Sequence, residues 1–160
     1  MTPLIRPYHP QDRAACAAVF YRAVREGAAE YYSTDQRAAW ALASAPDDAT
    51  PDRLLNQHCR VAEQDGQIIG FMSLTAEGYL DMAFVLPEAK GTGVADALYR
   101  ALMKRAKQDN MTTLTVHASL GARKFFEKNG WQIDCREQHP VNGQTLERFH
   151  MSLMQKDIAT

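Results

Sequence analysis

Along this 160-residue chain the period of the apolar positions changes several times, and each change marks an element. Leu4 to Tyr8 reads as a short strand. Pro10 then suits the first turn of a helix, with Asp12 near its positive end, and Cys16, Val19, Phe20, Ala23 and Val24 recur on one helical face. Ser33 and Gln36 form a capping box before a second helix through Trp40 and Leu42. Pro46 and two aspartates make 45–50 a loop, after which Thr50-Pro51 can open another short helix.

The period then shortens. The runs 60–64 and 67–75 flank Asp65-Gly66, a two-residue hairpin signal. Ile68, Ile69, Phe71, Met72 and Leu74 fill both faces of the second run, as in a strand covered on both sides. Gly78 turns the chain into a strand over 79–86, and Val94, Leu98, Ala101 and Leu102 stripe a long helix behind it. A β-branched strand covers 112–117, and Ser119 caps a last helix through Phe125 and Phe126 that ends at Asn129-Gly130. Two runs around Asn142-Gly143, 131–138 and 144–154, close the chain as a hairpin. The long helix joining the fourth strand to the fifth makes those two parallel in a mixed sheet, so the class is α/β (α+β).

Composition narrows the picture only modestly. The length fits one domain over 1–160, and 46% apolar with 23% charged residues is ordinary for a globular chain. A net charge of −1 offers no basic field for nucleic acid and no polybasic membrane patch. Cys16, Cys59 and Cys135 lack the spacing of a zinc site or disulfide framework and read as small hydrophobes in a reducing compartment. With no signal-length or membrane-spanning apolar run, a cytoplasmic protein is expected.

The chemistry concentrates at 85–94, where a strand ends at Pro87 and a glycine-punctuated turn opens the long helix. Unpaired amides at a helix N-terminus, bare Gly91 and Gly93, and the charge of Lys90 together suit a phosphate. A P-loop places its lysine after the last glycine, whereas Lys90 precedes both. A dinucleotide fingerprint needs a small residue where Asp96 stands. Neither fits.

Lys90-Gly91-Thr92-Gly93-Val94-Ala95 resembles motif A of the GCN5-related N-acetyltransferases, with Lys90 in place of that motif's Gln or Arg. Ser119 to Trp131 is similar to motif B of the same family through Ala122, Phe125, Phe126, Glu127, Lys128, Gly130 and Trp131. The element order is also the family's, and the runs 23–29 and 32–40 resemble its YafP-type branch. The resemblance implies a mostly antiparallel central sheet of six to seven strands flanked by about four helices. It further implies transfer of an acetyl group from acetyl-coenzyme A to a primary amine of a small molecule or peptide, within a ternary complex. On it, Lys90, Gly91, Thr92, Gly93, Val94 and Ala95 hold the pyrophosphate, the main chain of Ala83, Phe84 and Val85 meets the pantetheine arm, and Ser119 and Phe126 add to that wall.

Three catalytic candidates follow. Asp81 is an acid inside an otherwise apolar strand, where an unpaired charge is costly. It reads either as a base or as a salt-bridged carboxylate, and alternation sets it on one face with Tyr79, Ala83 and Val85. His117 and Ser119, at the end of the fifth strand, are the nearest proton donors, because Phe126 occupies the position where many family members carry an acidic tyrosine. Each also reads structurally, as a core histidine and a helix cap. Glu30, Tyr32 and Tyr79 are the acceptor-binding candidates. No metal is called for. Phe126 also keeps open a non-catalytic acyl-coenzyme A sensor with the same fold, and the closing hairpin leaves a homodimer open.

Overall fold

Two hairpin turns fix much of the register. Asp65 and Gly66 have φ of 53° and 77°, and Asn142 and Gly143 have 44° and 83°, the paired positive values of the tight turn that matches strand twist. The computed structural model describes residues 2–158. Its strands are β1 (Leu4–Pro7), β2 (His58–Gln64), β3 (Gln67–Leu74), β4 (Tyr79–Val85), β5 (Thr113–Ser119), β6 (Gln132–Val141) and β7 (Gln144–Met154). They form one seven-stranded sheet in the order β1-β2-β3-β4-β5-β7-β6. Only β4 and β5 run parallel, as the helical crossover between them requires.

The helices are α1 (Arg13–Arg25), α2 (Thr34–Trp40), α3 (Val94–Gln108) and α4 (Arg123–Lys128). α1 covers β3 and β4 on one face of the sheet, and α3 covers β2 to β4 on the other. Leu98, Leu102 and Met103 of α3 are fully buried with Leu74, Leu80, Leu114 and Leu153. Each such side chain contributes ~1.5–3 kcal/mol by leaving water. Phe20 of α1 meets the edge of Phe84 at 4.9 Å, and Trp40 of α2 stands 6.1 Å from the same ring. The aromatic cluster thus ties both N-terminal helices to β4.

Local differences from the sequence pattern have local causes. α2 stops at Trp40 because Ala41 is extended, which leaves Leu42 exposed. The short helix after Thr50-Pro51 is a 3-10 turn over Arg53–Asn56, capped by Asp52. Ser119 accepts from the Ala122 amide at 3.2 Å, so it caps the turn before α4, whose own N-cap is Ala122.

One difference bears on function. The β3–β4 ladder pairs Ser73 with Met82 and then Leu74 with Leu80, leaving Asp81 as an extra residue in a β-bulge. The bulge resets the alternation, so Asp81 does not share a face with Ala83 and Val85. Beyond it Phe84 packs toward α1, and Val85 crowds Gly70 beside Leu98 of α3.

Candidate active site

Parallel pairing between β4 and β5 lasts for two residues, Tyr79 with Thr115 and Leu80 with Val116. From Asp81 onward β4 keeps only its bonds to β3, while β5 stays paired with β7 to Ser119. Leu86 donates to the Ile69 carbonyl at 2.8 Å. An antiparallel ladder alternates inward and outward residues, so the main-chain groups of Ala83 and Val85 face the gap. A sheet interior has been opened into a wedge with unpaired peptide groups along one wall.

The glycine loop closes the wide end. Its first turn is self-contained: the Lys90 amide donates to Pro87 and the Thr92 amide to Ala89, so these two amides are engaged. No backbone partner is found among the described residues for the amides of Gly91, Gly93, Val94, Ala95 and Asp96. Gly91 and Gly93 have φ of 75° and 90°, and a Cβ at either would meet open space, so backbone conformation and access, not packing, require glycine. The 15-residue α3 directs its positive end at the same spot. Lys90 reaches back across the mouth, its Nζ donating to the Gly27 carbonyl at 2.6 Å.

A cleft of about 640 Å³ runs from this loop along Ala83–Val85 to Ser119 and Phe126. Its remaining wall is the turn between α1 and α2, with Gly27, Glu30 and Tyr31, and the ring of Trp40 behind it. Tyr31 lies so close over Gly121 that a Cβ there would sit 3.0 Å from its ring. Nothing in the sequence singled out Trp40 or Gly121 as site residues, because their approach depends on how the α1–α2 turn crosses the sheet.

The predicted residues separate in space. Ser119 and Glu30 line the cleft, and so does the largely buried Phe126, which has no proton to give. Tyr32 is fully committed: its hydroxyl donates to the Glu147 carbonyl at 2.6 Å and accepts from the Leu120 amide at 3.0 Å. Burial pushes its phenol above the ordinary range. It holds the turn against β5 and β7 and is not free to bind an acceptor.

Asp81 accepts from Arg53 Nε and Nη2 at 2.9 and 2.6 Å and from Gln57 Nε2 at 2.8 Å. Its carboxylate thus clamps the 3-10 turn onto the bulge. His117 stands one residue past the last β4–β5 pair, at the apex of the wedge. Its Nδ1 lies 2.5 Å from Glu137 Oε1, and its ring lies 5.5 Å from that of Tyr79. Burial pushes the Tyr79 phenol up, and the nearby Asp81 charge adds to that.

Comparison with known proteins places the arrangement. The acetyltransferase (GNAT) domain profile matches residues 28–153. The uncharacterized N-acetyltransferase YafP of Escherichia coli is 36% identical over 147 residues, 92% of this chain and 93% of that protein. A GCN5-related N-acetyltransferase structure from Rhodopseudomonas palustris superposes with a TM-score of 0.87 at 36% identity, covering 96% of each chain. The PaiA N-acetyltransferase of Thermoplasma acidophilum, solved with coenzyme A, has the same fold at a TM-score of 0.74 and 18% identity, with 96% and 99% of the two chains covered.

Proposed function

The chain belongs to the GNAT acetyltransferase family, and from that premise we propose that its cleft passes an acetyl group from acetyl-coenzyme A directly to a primary amine of a small molecule or peptide. The observation that carries this is the junction of two features: free loop amides at the wide end of the wedge and unpaired β4 peptide groups along its wall. The residues present fit the co-substrate. The amides of Gly91, Gly93, Val94, Ala95 and Asp96 surround a space that no side chain fills, which suits a diphosphate. Ala83 and Val85 offer strand-like bonds to the amides of the pantetheine arm, much as an added strand would receive.

That placement brings the thioester toward the apex, where an unpaired β4 amide can polarise its carbonyl oxygen. Ser119 sits on the same wall and is assigned to orienting the arm. Glu30 and Tyr79 are assigned to the amine, Glu30 as an exposed carboxylate at the cleft and Tyr79 beside His117. Asp81 is assigned to holding the bulge, since each of its carboxylate oxygens already has a donor.

The test is release of coenzyme A thiol from acetyl-coenzyme A in the presence of 1,4-diaminobutane, glycine methyl ester or trialanine. Direct titration of acetyl-coenzyme A accompanies it. Binding together with amine-dependent thiol release is expected. Binding with no release from any primary amine would overturn the transfer, and absence of binding would overturn the site.

A further inference from the structure

Continuing from Ser119 at the apex end of the cleft, the α1 face of β5, β6 and β7 carries a connected set of ionisable groups that the binding of coenzyme A does not use. Cross-strand register brings Ser119, Arg148 and Glu137 into one row and His117, His150 and Cys135 into the next. Glu137 Oε1 accepts from Arg148 Nε at 2.7 Å and stands 2.5 Å from His117 Nδ1. His150 is engaged separately by Asp134 at 3.0 Å.

We propose that Glu137, clamped by Arg148, fixes the His117 ring so that its Nε2 takes the proton the amine loses during acetyl transfer. Glu137 is then a positioning residue and His117 the proton acceptor. This rests on the acetyl-transfer reading above. A carboxylate can only accept, so a hydrogen bond at this distance puts the ring proton on Nδ1 and leaves a lone pair on Nε2. Burial opposes ionisation of Glu137, but hydrogen bonds from Arg148 and His117 outweigh it and hold the carboxyl below its ordinary range. For Nε2 no hydrogen-bond partner is found among the described residues.

Position gives the ring its task. It stands where β4 and β5 part, which is where the thioester ends when the pantetheine follows β4. The step balances without Phe126. The amine nitrogen bonds to the carbonyl carbon, its proton passes to His117 Nε2, and the carbon–sulfur bond breaks. The same proton then returns from the imidazolium to the departing sulfur, giving amide and free thiol.

The charged and titratable groups facing His117 are Tyr79 from β4, Glu137 and His139 from β6, and Arg148 and His150 from β7. The test compares wild type with Glu137→Gln and His117→Gln, using the best amine from the thiol-release screen. Glu137→Gln is expected to lower kcat about tenfold, less than the ~10²–10⁴-fold that loss of a general base itself costs, with KM for acetyl-coenzyme A unchanged. It should also move the acid limb of kcat/KM to lower pH, since a neighbouring negative charge is removed. In His117→Gln that limb disappears.

Nitrogen NMR of the wild-type imidazole, which needs no acceptor, should show the Nδ1–H tautomer, and in Glu137→Gln a mixture. An Nε2–H tautomer in wild type, a wild-type kcat in His117→Gln, or an unmoved acid limb in Glu137→Gln overturns the dyad. Each of those results leaves the transfer reading standing. Failure of wild type to release thiol with any amine instead removes the reading on which the dyad rests.

Discussion

Replacing Gly93 by valine separates the cost of a backbone conformation from the cost of blocking a ligand. Gly93 has a φ of 90°, and a Cβ there would touch nothing in the protein. The folded state therefore suffers only the strain of a branched residue in the left-handed region, about 1–3 kcal/mol. At ~2–4 °C per kcal/mol for a chain of this size, Tm falls by several degrees and the protein stays folded. Binding suffers more, because the isopropyl group stands over the Gly93 and Val94 amides. Hydrogen bonds to a charged partner contribute ~1.5–3 kcal/mol each, so losing two costs about 3–6 kcal/mol. That corresponds to roughly 10²–10⁴-fold weaker binding of acetyl-coenzyme A. Calorimetric titration measures the affinity and thermal unfolding the stability. Gly143→Val is the matched control: it has a φ of 83° and equally open surroundings, but lies in the β6–β7 turn, so it should lose stability and keep its affinity. If Gly93→Val binds acetyl-coenzyme A within threefold of wild type, the loop amides do not hold the diphosphate.

Arg53→Ala leaves the nearly buried Asp81 carboxylate with Gln57 as its remaining side-chain donor, and should cost about 1–3 kcal/mol in thermal or urea unfolding. An unchanged Tm would show that the clamp contributes nothing. Of the three cysteines only Cys135 is exposed, while burial pushes the Cys59 thiol up to about 12 and the Cys16 thiol higher still. Native protein at pH ~8 should therefore react with a thiol reagent at one site and denatured protein at three. Rapid modification of a second site in the native state would contradict the burial of Cys16 and Cys59. Asp12, hydrogen-bonded by Arg6 and the His9 amide, has its carboxyl held below the usual 3.8. Its contribution is present above that value and is lost as pH falls through the lower folded-state value. Asp12→Asn should accordingly flatten the acid limb of the stability curve, and an identical pH dependence in mutant and wild type would rule the ion pair out.

The order of strands and helices was legible because local signals agreed with the fold: Asp65-Gly66 and Asn142-Gly143 adopt the backbone their residue types favour, and Ser33-Gln36 caps as its spacing implies. The phosphate loop was legible for the same reason, since it depends on glycine positions within one turn. The rest of the site depends on contacts between distant segments. Hairpin register around residues 142 and 143 pairs Glu137 with Arg148, but only the β5–β7 pairing, set by no local turn, brings His117 to them. Tyr32 read as an acceptor ligand because a tyrosine in a loop carries no mark of the carbonyl it will meet 115 residues later. The alternation argument for Asp81 failed because no residue type announces a bulge inside a strand.

That bulge carries a consequence for how the protein can change. What opens the binding wedge is the number of residues in β4 relative to β3, so the property is stored as a count more than as a set of side chains. Removing one residue near Asp81 would bring the outward peptide groups of Ala83 and Val85 into phase with Leu80, so that the β4–β5 ladder could run on past Val116. Almost every chemical group would be retained, yet the surface that receives a thioester would become ordinary sheet. Lineages carrying this fold should therefore tolerate drift in the letters of β4 far more readily than any gain or loss in its length.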